Sequence, residues 1–274
     1  MDKKFDIIIY GATGFTGQLC AKYLYNNAND INWAIAGRNK GKLEDLKNRL
    51  SLDVDIFIAD SDDNKALDEI TKNTKVVLST AGPFHRYSSN LVKSCVKNFS
   101  HYVDITGEFF WIREMIDLHH KEASSKGIRI IPACGYDSIP SDLGTFFASS
   151  KINGPVKRIE SFHAGQGGVS GGTTETGFSM GDLKLGKKMN DPYVLNPENS
   201  VSKEQKALGS DSVGLKKNKS LNSWTGPFIM AVSNTRVVRR SAALLDLNQG
   251  GYGENFTYQE HAFYKKFKTA LLVT

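Results

Sequence analysis

Along the first half of the chain, short continuous apolar runs alternate with longer segments of helical spacing. Residues 5–10 are nearly unbroken apolar and stop at Gly11, and residues 15–26 follow with a helical period. The pairing repeats. Runs at 33–36, 54–58, 76–79 and 102–105 are followed by helical patterns through Leu43, Leu46 and Leu50, around Ala66, Leu67 and Ile70, near 91–96, and over 110–125. A sixth run lies at 129–131. Strands without an alternating polar face are buried on both sides, and intervening helices make them parallel. The expected fold class is α/β, a doubly wound parallel sheet. Such sheets bind ligands beyond the carboxyl ends of their strands, so the turns after each run should carry the chemistry.

The first of these turns reads Gly11-Ala12-Thr13-Gly14-Phe15-Thr16-Gly17. Glycines at this GxxGxxG spacing let the backbone turn tightly, approach a pyrophosphate and seat the next helix on the strand. Between a first strand and a first helix, the spacing predicts dinucleotide binding through Gly11, Thr13, Gly14, Phe15, Thr16 and Gly17; a purely structural turn is the alternative. The second run ends Ala36-Gly37-Arg38-Asn39-Lys40, without the carboxylate that NAD sites use for the ribose hydroxyls. Arg38 bridging a 2′-phosphate, assisted by Asn39 or Lys40, predicts NADP(H) as cofactor; the alternative is an ordinary exposed loop arginine. Asp60 accepts from the adenine amino group or caps the following helix. After the fourth run, Ala81, Gly82 and Pro83 are small enough for a ribose and nicotinamide to lie against the backbone. Asp104, Glu108, Tyr136 and Asp137 are the ionisable groups expected on the nicotinamide side. Ser138 and Ser141 read as caps of a helix through 143–148.

Composition adds boundaries. With 40% hydrophobic and 23% charged residues the chain reads as soluble and globular. No apolar run nears the roughly 18 residues of a membrane span, and the start is too short for a signal-peptide core, so the expected location is cytoplasmic. Cys20, Cys95 and Cys134 read as reduced. Residues 1–145 carry 18 basic against 19 acidic side chains and residues 146–274 carry 17 against 10, so the net charge of +6 resides in the second half. That surface favours anionic substrates, phosphates or an acidic membrane face, and no nucleic-acid signature accompanies it.

In the second half, 156–163 reads as a strand. The glycine-rich loop at 167–174, leading to a helix near Thr174, reaches substrate or cofactor or serves as an interdomain turn. Residues 195–222 read as a mobile polar excursion. Arg236, Arg239 and Arg240 lie in an apolar stretch with Val237 and Val238; on a strand, Arg236 and Arg240 would share one face, and the three bind an anionic group or pair with the first domain. Phe263, Phe267, Ala270 and Leu271 share a helical face that either docks on a membrane or packs into the core. No metal site is expected.

YGATGFTG at 10–17, AGRNKGKL at 36–43, STAGPF at 79–84, HYVDITGE at 101–108 and IPACGYDSIPSDLG at 131–144 together resemble the saccharopine dehydrogenase-like oxidoreductases. The similarity extends through DPYVLNP at 191–197, WTGPFIMAVSNTRVVRRSAAL at 224–244 and FTYQE at 256–260, nearly the whole chain. The branch is that of the trans-acting enoyl reductases and the animal saccharopine dehydrogenase-like protein. The resemblance implies an NADP-binding Rossmann domain over 1–145 and a second α+β substrate or closure domain over 146–274, cut short because family members continue past the position of Thr274. It implies NADPH-dependent reduction of a double bond or carbonyl in a lipid-derived substrate, with peripheral membrane or lipid-droplet contact. Tyr136, Asp137 or Tyr102 would assist protonation beside Gly82 and Pro83. The alternatives are a non-catalytic NADP-binding protein at a lipid surface and a saccharopine-type reductase.

Overall fold

In the computed structural model, which describes residues 2–165, 190–249 and 251–273, the six apolar runs are β1 (Phe5–Tyr10), β2 (Trp33–Gly37), β3 (Asp55–Ile58), β4 (Thr74–Ser79), β5 (His101–Asp104) and β6 (Ile130–Ile131). They form one sheet in the order β3-β2-β1-β4-β5-β6, with every pairing parallel. All five residues of β2 are buried, as are Ile8 and Ile9 of β1, which explains why neither strand shows a polar face. The connections are α1 (Phe15–Asn27), α2 (Lys40–Arg49), α3 (Asn64–Asn73), α4 (Phe84–Tyr87), α5 (Ser89–Lys97) and α6 (Phe109–Ser125).

Side chains at helical spacing bring these helices onto the sheet. Leu24 of α1 and Leu43 and Leu46 of α2 join Ile9, Trp33 and Ile35 in one core, each such burial contributing about 1.5–3 kcal/mol. Asn39 starts α2 by accepting from Lys42 N at 3.0 Å. Asp63 starts α3, its Oδ1 accepting from Lys65 N at 3.0 Å and Ala66 N at 3.1 Å. The cap of α3 is therefore Asp63 and not Asp60.

A second compact unit begins at Gly135. It holds α7 (Ile139–Ser150), β7 (Arg158–His163), β8 (Lys216–Asn218), β9 (Ser223–Pro227) and β10 (Thr257–Tyr264), with strand order β7-β10-β9-β8. The β7–β10 pairing is parallel and the other two are antiparallel. A long helix, Ala231–Gln249, places Val238 and Ala242 against Val156, Tyr252, Phe256 and Tyr258. The helix α7, which spans the expected boundary at 145/146, packs in this unit, where Asp142 accepts from Ser241 Oγ at 3.0 Å.

Three expectations for this half are corrected. Arg236, Arg239 and Arg240 lie on the helix Ala231–Gln249 rather than on a strand. Arg236 and Arg239 are buried and pair with Asp211 of the same unit at 2.9 and 3.0 Å. Arg240 donates to Leu195 O at 2.5 Å. Residues 195–222 include the helix Lys203–Leu208, capped by Ser202, and the strand β8. Phe263 lies on β10 rather than on a common helical face, while Ala270 is buried in the helix Phe267–Val273, where the Phe267 ring meets Trp224 at 4.5 Å. The loop 167–174 and the helix expected near Thr174 fall outside the described residues. Among the described residues no helix is long and apolar enough to cross a membrane.

Candidate nucleotide-binding site

At the end of β1, Gly11 has a φ of +81°, in the left-handed region that favours glycine. Space forbids a side chain there as well, since a Cβ would stand 2.9 Å from Ala81 N. The turn after β1 thus touches the turn after β4, where the strand order reverses, and the two turns flank one crevice. Gly17, in the first turn of α1, lies still closer, because a Cβ on it would come within 2.3 Å of Gly11 O and 2.7 Å of Ala12 Cα. The helix therefore starts directly on the turn.

Backbone pairing leaves this turn with open donors. Gly11 N and Ala12 N donate to Ala36 O at 3.0 and 3.2 Å, and Gly14 N donates to Gly11 O at 3.0 Å. The N–H groups of Thr13, Phe15, Thr16 and Gly17 find no partner among the described residues. Gly14, at the N-cap, has no side chain with which to satisfy them. Unpaired amides at the positive end of a 13-residue helix, above a turn kept bare by glycine, fit a pyrophosphate.

The adjacent strand ends set the selectivity. Arg38 follows the last residue of β2, is exposed, and makes no hydrogen bond or ion pair among the described residues. Asn39 commits its Oδ1 to capping α2, and Lys40 stands 3.6 Å from Glu44. Among the described residues Arg38 thus has no hydrogen bond or ion pair at this strand end, and β2 itself ends without a carboxylate. Asp60, beyond β3, is exposed and folds its Oδ1 into its own turn, accepting from Ser61 Oγ at 3.3 Å and Asp62 N at 3.2 Å.

On the other side of the crevice Ala81 and Gly82 are half-buried and Pro83 is buried. Behind them sits a chain of polar groups. Glu108 is fully buried and accepts from Phe84 N at 2.8 Å, His85 N at 2.9 Å and His85 Nδ1 at 2.7 Å. Glu108 N donates to Thr106 Oγ1 at 3.0 Å, and Thr106 N donates to Asp104 Oδ1 at 2.9 Å. Tyr102 is also fully buried and its hydroxyl donates to Asp104 Oδ2 at 2.8 Å, so it faces inward. Burial pushes the Asp104 carboxyl up to about 7, against the pull of the Thr106 and Ala133 N–H groups and the Tyr102 hydroxyl. The sequence pattern pointed to Glu108 and Asp104 but missed His85. Its signal was position alone, two residues after Pro83, because the partner lies 23 residues further on.

Tyr136 and Asp137 belong to the second unit, and both are exposed, Tyr136 at 90%. Asn234 fixes their loop, its Nδ2 donating to Asp137 O at 2.6 Å and to Glu260 Oε2 at 3.1 Å. Ser138 occupies the N-cap position of α7 without capping it. Its hydroxyl donates to Asn234 Oδ1 at 2.8 Å, a pairing 96 residues apart that no local pattern announces. Ser141 lies inside α7 rather than at its cap, buried beside Tyr258 and Glu260.

Residues 7–131 match the family model described as the saccharopine dehydrogenase NADP binding domain. NADP(H) is accordingly the cofactor. The chain is 35% identical to the trans-acting enoyl reductase of Mycobacterium tuberculosis, over 94% of this chain and 65% of that protein. It is 34% identical to that of Mycobacterium ulcerans over the same shares. The chain thus spans 65% of the length of these relatives, less than two-thirds. Among solved structures it is similar to apo saccharopine dehydrogenase (L-Glu forming) of Saccharomyces cerevisiae, 22% identical, covering 58% of this chain and 34% of that one with a TM-score of 0.48.

Proposed function

We propose that the chain, whose residues 7–131 match the saccharopine dehydrogenase NADP binding domain, is an NADPH-dependent oxidoreductase reducing a double bond or carbonyl in a lipid-derived substrate. The observation that carries the reading is the set of four unpaired amides over the glycine turn, next to the unpaired Arg38. The names of the mycobacterial relatives support reduction of an enoyl group. When bound, NADPH supplies the hydride.

The chain's own residues bind and orient. The amides of Thr13, Phe15, Thr16 and Gly17 hold the pyrophosphate, and Arg38 holds the 2′-phosphate. Asp60 keeps its second carboxylate oxygen for the adenine amino group, and Ala81, Gly82 and Pro83 support the ribose. Because Tyr102 donates inward to Asp104, the exposed Tyr136 and Asp137 are the better candidates for moving a proton to substrate. Leu143, Phe146 and Phe147 leave an apolar face of α7 open, which supports contact with a lipid substrate or a membrane surface.

Arg38→Ala tests the phosphate assignment. NADPH affinity is expected to fall about 30-fold, the loss of a charge-assisted pair, with NADH affinity changed less than about twofold. Equal losses for both nucleotides, read by calorimetry, would remove Arg38 from the 2′-phosphate. The activity itself is tested with NADPH deuterated at the transferable position and a crude lipid extract. Deuterium in a lipid species, seen by mass spectrometry, is the expected result. Normal NADPH binding without any transfer, also for a chain extended past Thr274, would instead favour a non-catalytic NADP-binding protein.

A further inference from the structure

We infer that His85 is the side chain that meets the nicotinamide riboside half of the cofactor, with Glu108 as its positioning residue. The inference rests on the reading of the first unit as an NADP(H) site. His85 is the second residue of α4, directly after the Ala81–Pro83 turn, and that turn touches the glycine turn at Gly11. The phosphate-binding turn and the turn that leads into His85 are thus in contact beyond the ends of β1 and β4.

Glu108 determines what the imidazole offers. Both of its oxygens accept backbone N–H groups, from Phe84 and His85, and it is fully sealed from water. A carboxylate committed to accepting takes the ring nitrogen at 2.7 Å as a further donor, so Nδ1 carries the hydrogen. Nε2 is then an acceptor, and no described residue donates to it. The Phe110 ring, 5.5 Å away, packs against the imidazole, whose side chain is only 15% exposed. The charged groups around it are Glu108 at the start of α6, with Asp104 behind it on β5, and the neighbouring Arg86 on α4.

An enclosed acceptor repels phosphate oxygens and suits a hydrogen-bond donor. The nicotinamide riboside half supplies such donors, as a carboxamide NH₂ group and ribose hydroxyls, whereas phosphate offers none at neutral pH. Glu108 also anchors the backbone of α4 through two N–H groups, so the same carboxylate sets the position of the turn and the orientation of the ring.

Two ligands separate this role from general support of the fold. NADP⁺ contains the nicotinamide half, and adenosine 2′,5′-bisphosphate lacks it while retaining the 2′-phosphate. His85→Ala is expected to weaken NADP⁺ about tenfold by calorimetry and to leave the bisphosphate unchanged, the loss of one enclosed hydrogen bond. Glu108→Gln should weaken NADP⁺ selectively in the same way. In the unmodified chain, the ring ¹⁵N signals of His85 should shift on adding NADP⁺ and stay in place on adding the bisphosphate, a readout that needs no variant to fold. Equal losses for both ligands in His85→Ala, or NADP⁺ binding that leaves the His85 ring signals unmoved, would overturn the inference while sparing the cofactor site. Failure of the unmodified chain to bind either ligand would overturn both.

Discussion

Gly17→Ala is expected to destabilise the first unit by about 3 kcal/mol and to abolish NADPH binding with it. The added methyl would stand 2.3 Å from Gly11 O, 2.7 Å from Ala12 Cα and 2.9 Å from Ala12 C, all of them backbone atoms. A flexible side chain could swing away from such an intrusion, but this turn cannot. Gly11 N and Ala12 N are tied to Ala36 O on β2, and Thr80 N holds Tyr10 O from the β4 side. Relief must therefore come from lifting α1 off the turn, which moves the amides of Phe15, Thr16 and Gly17 away from the phosphates they are to bind. Gly41→Ala is the matched control. It lies in the first turn of α2, and its Cβ would meet nothing nearer than Asn39 Oδ1 at 3.6 Å. Helix propensity makes that change neutral or stabilising by up to about 1 kcal/mol. Urea midpoints of the two variants decide the matter: an unchanged midpoint for Gly17→Ala would mean that α1 does not rest on the turn as described.

The sheet and its glycine turn were legible because their causes are local. A parallel strand buried on both faces announces itself as an apolar run, and a strand that must stop and turn at Gly11 needs glycine there whatever follows. The cavity-side groups were less legible because their partners are remote. Glu108 reads as a residue at the start of a helix, yet its carboxylate serves α4, 23 and 24 residues earlier. The four residues of α4 are too few to show a period. Around Arg236–Arg240 the sequence does not separate helix from strand, because Val237 and Val238 favour extended backbone and because Arg236 and Arg239 are turned inward against the usual pattern. Asp211, on a polar stretch with little periodicity, pairs with both, and Arg239 also donates to Pro192 O and Tyr258 O, which together make the burial tolerable. Ser138 illustrates the same limit, since its residue type and position suggest a cap while its hydroxyl is taken by Asn234.

Asp104 gives the first unit a stability that should decline as pH rises through neutrality. Its carboxyl is pushed from the ordinary 3.8 to about 7, chiefly by burial, with the nearby Glu108 carboxylate acting in the same direction. For an acid raised in the folded state, the folded form binds the proton more tightly than the unfolded one. The corresponding stability is complete below about pH 4 and is lost as pH rises through about 7, a change of about 4 kcal/mol. Other carboxylates titrate in the same window, so the contribution is isolated as the difference between the unmodified chain and Asp104→Asn. The asparagine can still accept from Thr106 N and Ala133 N, which the carboxylate bonds at 2.9 and 3.0 Å, while remaining neutral at every pH. Urea unfolding at pH 4 and pH 8 should show the advantage of aspartate over asparagine falling by about 4 kcal/mol between them. A difference that stays constant would mean that the buried carboxylate is already charged at pH 4. Its three donors, Thr106, Ala133 and Tyr102, would then outweigh the loss of water. The polar chain from Asp104 through Thr106 to Glu108 would carry two negative charges at neutral pH behind the turn that faces the cofactor.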